Sequence, residues 1–102
     1  MEWAANYIAE NGWSEWTPCN CYSYAQVITG KQFPLAQYIK PNGPPAIGSI
    51  AIMDFDGIIH YQVITGFDAT GFFYKGANRQ PCTIQTGHDD FADDRLVGFW
   101  TP

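Results

Sequence analysis

Three side chains in this sequence are of types that could do covalent chemistry together: Cys21, His60 and Asn78. Cys21 follows Asn20, a favoured N-cap residue, so the pattern predicts a helix starting there with the thiol in its first turn. Unpaired backbone N–H groups and the positive end of a helix stabilise a thiolate at that position. His60 interrupts an apolar, β-branched run, where an imidazole is an odd choice for packing alone. Asn78 closes Gly76-Ala77-Asn78 after the next strand, and an amide oxygen there could accept the second ring N–H of His60. A helical Cys alone is usually a small buried hydrophobe, and a strand His alone is usually structural. Nucleophile, base and orienter in the order Cys…His…Asn are the parts of a thiol acyl-transfer site.

The elements that must hold these groups follow from the pattern of the chain. Glu2 to Glu10 carries Trp3, Ala4, Tyr7 and Ile8 at helical spacing, and Asn11-Gly12 stops that helix. Trp13 to Pro18 reads as an irregular aromatic loop. A second helix runs from Asn20 through Tyr22, Ala25 and Ile28 to Gly30. Pro34, Pro41, Asn42-Gly43 and Pro44-Pro45 make Lys31 to Gly48 a long connection with turns. Ser49 to Phe55 and Ile58 to Phe67 then read as strands joined by Asp56-Gly57, a hairpin signal. Shorter strands are predicted at Phe72 to Lys75, Cys82 to Thr86 and Arg95 to Trp100, with an acidic loop from His88 to Asp94. Two helices followed by a four- or five-stranded antiparallel meander make an α+β domain.

Composition excludes several classes. At 102 residues the chain makes one domain, spanning 1–102, whether alone or as a piece of a longer protein. Apolar residues are 46% and charged residues 15%, which rules out disorder. No apolar run approaches the ~18–20 residues of a membrane span. The N-terminus lacks the basic-then-apolar order of a signal peptide. A net charge of −5 argues against a nucleic-acid backbone as partner. Three Cys is an odd number, so one thiol is free or paired outside the chain.

The sequence resembles the CHAP-type cysteine peptidases and amidases of the papain-like NlpC superfamily. The resemblance rests on Cys19-Asn20-Cys21-Tyr22-Ser23-Tyr24-Ala25 at a helix start and Gly48-Ser49-Ile50-Ala51-Ile52 leading the first strand. His60-Tyr61-Gln62-Val63-Ile64, Gly76-Ala77-Asn78 and the closing Leu96-Val97-Gly98-Phe99-Trp100-Thr101-Pro102 continue it in the family's order. It implies a papain-like fold, with N-terminal helices packed on a four- to six-stranded antiparallel sheet. It implies a peptidoglycan hydrolase, an amidase or endopeptidase, with Cys21 as nucleophile, His60 as base and then acid, and Asn78 orienting His60. Asn20 is a weaker candidate for the oxyanion site and Trp16 for substrate binding. Many members carry a Glu two residues before the Asn, and here that position is Gly76.

If Asn78 is near the site, Cys82 is not far from it, so a Cys19–Cys82 disulfide would leave Cys21 as the free thiol; three reduced cysteines are the alternative. Cys19-Asn20-Cys21 is too closely spaced for a usual zinc site, and Asp89 to Asp94 reads as a solvated turn rather than a calcium loop. No metal or cofactor is expected. The expected partner is bacterial peptidoglycan, met by a monomer released by phage, carried on a virion, or exported within a longer protein. Two other readings stand beside this one. A bacteriocin-processing peptidase would cut leader peptides, since His60 to Asp68 is similar to that segment. A catalytically inactive member would bind cell wall or serve as a phage structural piece.

Overall fold

A computed structural model describes residues 19–102. The helix expected at Glu2 to Glu10, and the loop bearing Trp13 and Trp16, lie outside the described residues. Within them the chain is α+β, with one α-helix and a five-stranded antiparallel sheet. The elements are α1 (Cys21–Thr29), a 3-10 turn at Ala36–Tyr38, β1 (Ile50–Phe55), β2 (Ile58–Phe67), β3 (Gly71–Ala77), β4 (Ile84–Asp90) and β5 (Leu96–Trp100). The spatial order is β4-β3-β2-β1-β5. The first four strands form a meander, and β5 returns to the far edge beside β1.

Local chemistry fixes the turns. Asp56 and Gly57 both have positive φ (54° and 90°), the twist a two-residue hairpin needs, and Phe55 pairs with Ile58 across it. Asp68 Oδ1 accepts the backbone N–H groups of Thr70 and Gly71, each at 2.9 Å, and so closes the β2–β3 turn. Helix α1 is capped at both ends. Asn20 Oδ1 accepts the Ser23 N–H at 3.0 Å, and Gly30 in the left-handed region (φ 70°) donates to Gln26 O.

At nine residues α1 is too short to persist alone, so its packing must hold it. Ala25 joins Phe33, Ile39, Ile50, Ile52, Tyr61 and Val63 in one core between helix and sheet. Ala51, Met53, Ile64, Phe72, Tyr74 and Phe99 form a second core on the opposite face. Burial on both faces explains why β1 reads as a continuous apolar run rather than an alternating one. Each fully buried Ile, Met or Phe contributes about 1.5–3 kcal/mol of transfer free energy. The proline-rich connection is tied to the residue just after β5 by Asn42, whose side chain bonds the carbonyl (3.1 Å) and N–H (2.8 Å) of Thr101.

One expectation is corrected here. Residues His88 to Asp90 belong to β4, because β3 offers partners along its full length, from Ala77 opposite Ile84 to Gly71 opposite Asp90. The acidic loop begins only after Asp90, and Asp89 is buried rather than solvated.

Candidate active site

The start of α1 presents the thiol. Cys21 is the free cysteine and is half-buried. Burial pushes its pKa up, while the backbone N–H groups of Tyr61, Tyr22 and Cys21 pull it down, and burial dominates. The resting group is therefore a thiol at neutral pH rather than a preformed thiolate. The Asn20 carboxamide oxygen is engaged in the helix cap, as its bond to Ser23 shows.

His60 sits on β2 opposite Met53 and is 4% exposed. Its ring meets Phe55 edge-on at 5.4 Å. Nε2 is buried with no hydrogen-bond partner among the described residues. Burial, and then the positive charge of Arg79, lower the imidazole pKa to about 4, against smaller upward effects of the Gln62 side chain and Asp89. At neutral pH the ring is uncharged and able to accept a proton.

Cys21, His60 and Asn78 line one cavity of about 400 Å³, together with Phe55, Ile58, Ile59, Arg79 and Arg95. Among the described residues no hydrogen bond joins any two of the three. Asn78 has φ 67°, and its Oδ1 accepts the backbone N–H of Cys82 at 2.8 Å, so this oxygen closes the β3–β4 turn. A second hollow of about 480 Å³, lined by Thr65, Phe73, Tyr74, Thr86 and His88 among others, contains no thiol.

Cys19 and Cys82 are joined by a disulfide. It ties the residues just before α1 to the turn carrying Asn78 and Arg79, so two walls of the cavity are covalently linked. Trp16 lies outside the described residues. Among the described residues no group of three or more His, Cys, Asp or Glu is placed to hold a metal. Two of the carboxylates between 89 and 94 pair with different arginines: Asp89 with Arg79 at 2.9 Å, and Asp93 with Arg95 at 2.6 Å.

A polar network behind the cavity has no counterpart in the sequence reading. Gln62 is fully buried, and its Nε2 donates to Asp89 Oδ2 at 3.1 Å. Arg79 Nη1 donates to both Asp89 oxygens (3.1 and 2.9 Å) and to Gln62 Oε1 at 3.3 Å. The guanidinium also lies over the Phe55 and Tyr74 rings, at 5.2 and 5.0 Å. The sequence signal was Gln62 itself, a carboxamide in an apolar strand two residues after His60 and so on the same face.

No helix of the described residues is long and apolar enough to cross a membrane. No protein-family model matches this chain, and neither a curated protein nor a solved structure matches it. The functional reading therefore rests on a half-buried thiol and a buried neutral imidazole that share one cavity.

Proposed function

We propose that this chain is a cysteine hydrolase of amide bonds, with Cys21 as nucleophile, His60 as base, and bacterial peptidoglycan as substrate class. The observation that carries the reaction is the shared cavity: a free thiol at a helix start and an imidazole with an unpartnered nitrogen line the same space. The substrate class and the papain-like character of the fold rest on the sequence resemblance to CHAP-type domains.

In this reading the thiol and imidazole are both neutral before substrate arrives. His60 takes the Cys21 proton as sulfur attacks the carbonyl carbon, and the tetrahedral oxyanion meets the backbone N–H at the helix start. Collapse breaks the C–N bond, and the leaving amine takes the proton from His60. Water then attacks the thioester, returns a proton to sulfur and releases the carboxylic acid.

Digestion of purified sacculi tests the reading, with mass spectrometry of the muropeptides and titration of new amino groups. The wild-type protein is expected to release amines, and Cys21→Ala and His60→Gln proteins to release none. Absence of product from wild-type protein that co-pellets with sacculi would replace hydrolysis by wall binding.

A further inference from the structure

A base acting on Cys21 needs its ring held in one orientation, and the Asn78 side chain makes no hydrogen bond to His60 but closes the β3–β4 turn by accepting the Cys82 N–H. We propose that Gln62, held by Asp89 and Arg79, is the positioning residue that orients the His60 ring, an inference that rests on the hydrolase reading above.

The geometry comes from the sheet. Residues two apart on a strand share a face, so His60 and Gln62 project side by side from β2. Their neighbours on β1 are Met53 and Ala51, directly opposite each of them, and neither can offer a hydrogen bond from its side chain of comparable strength. On the β3 side the neighbour is Gly76, which contributes no side chain; a Cβ there would stand 3.4 Å from Gln62 Cγ, in ordinary contact with it. The carboxamide is not free to rotate. Its nitrogen is fixed by Asp89 and its oxygen faces Arg79, and the Arg79–Asp89 pair closes the triangle. All three side chains are buried or nearly so, at 0% for Gln62, 6% for Asp89 and 19% for the Arg79 side chain. Buried polar groups with this many mutual bonds hold a single arrangement, which suits them to fix a neighbouring ring.

The charged groups facing His60 are Arg79 from the β3–β4 turn and Asp89 from β4, with Arg95 and Cys21 on the same cavity. Gln62 is the neutral member among them. It orients the ring without adding a charge that would make it an imidazolium at rest.

Long-range proton–nitrogen NMR spectra of histidine-labelled protein read the tautomer and ring pKa of His60, with a His88→Gln protein separating the two rings. In wild-type protein one tautomer is expected. Gln62→Leu keeps the Arg79–Asp89 pair, and is expected to mix the tautomers and to lower kcat on sacculi about tenfold or more, with KM little changed. Gln62→Glu keeps the shape and is expected to raise the ring pKa by about one unit or more. If Gln62→Leu does not fold, the Gln62→Glu titration decides alone. Ring spectra identical to wild type in the folded variants would overturn the assignment. Ring spectra that respond, in a protein whose wild type leaves sacculi intact, would uphold the Gln62–His60 relation and overturn the hydrolase reading instead.

Discussion

The Asn78 side-chain oxygen accepts the Cys82 backbone N–H at 2.8 Å, and both residues have positive φ, 67° and 56°. This pair shapes the β3–β4 turn, and the Cys82 disulfide then fastens that turn to the start of α1. Asn tolerates the left-handed region because its short polar side chain bonds locally, as it does here.

Asn78→Ala should therefore act on stability. Losing the bond and placing alanine at positive φ is expected to cost about 1–2 kcal/mol, and Asn78→Gly less, because glycine relieves the backbone. Urea unfolding of both proteins measures the difference. Equal stability of all three would mean that the turn does not depend on this side chain.

Cys21 should be the single cysteine alkylated by iodoacetamide without reductant, since Cys19 and Cys82 are bonded to each other. Its burial raises the thiol pKa, so the labelling rate at pH 7 should lie below that of an exposed thiol and keep rising with pH into the alkaline range. Peptide mapping across a pH series checks both points. Label on Cys19 in unreduced protein would contradict them.

His60 gives the stability a defined pH dependence. Its folded pKa of about 4 lies below the usual 6.5, so between those values the unfolded chain binds a proton that the folded chain does not. Its contribution is complete above about pH 6.5 and is lost as pH falls toward 4. The expected loss approaches about 3 kcal/mol by order of magnitude. A His60→Phe protein should show a flatter dependence over this window in urea titrations at pH 4.5 and 7. An unchanged slope would mean that the imidazole is solvated.

Replacing both Cys19 and Cys82 by Ser opens a loop with a sequence separation of 63 residues. The chain-entropy argument puts the cost at about 4 kcal/mol, a large share of the stability of a small domain. Thermal unfolding should show a markedly lower Tm for the variant, and a similar fall when wild-type protein is reduced. If reduction leaves Tm unchanged, the bridge contributes nothing to the folded state in solution.

Much of the architecture was written in local chemistry. Asn20 and Gly30 bound α1 because a carboxamide cap and a left-handed glycine satisfy helix ends without help from elsewhere. Asp56-Gly57 marks the hairpin for the same kind of reason. The two long apolar runs could only be strands buried on one or both faces. Cys21, His60 and Asn78 were likewise conspicuous by residue type against their surroundings. What the sequence could not state was pairing across the sheet. The extent of β4 depends on β3 lying beside it, which turns Asp89 from a loop carboxylate into the buried partner of Arg79. The bonds of Gln62 to Asp89 and Arg79 join residues 27 and 17 positions away, so no local pattern encodes them. The engagement of Asn78 with Cys82 is a local bond, but its meaning depends on His60 standing beside Gln62, a relation set by the β2 face. Residue type and spacing determined which groups could react; the register of the sheet decided which of them stand together.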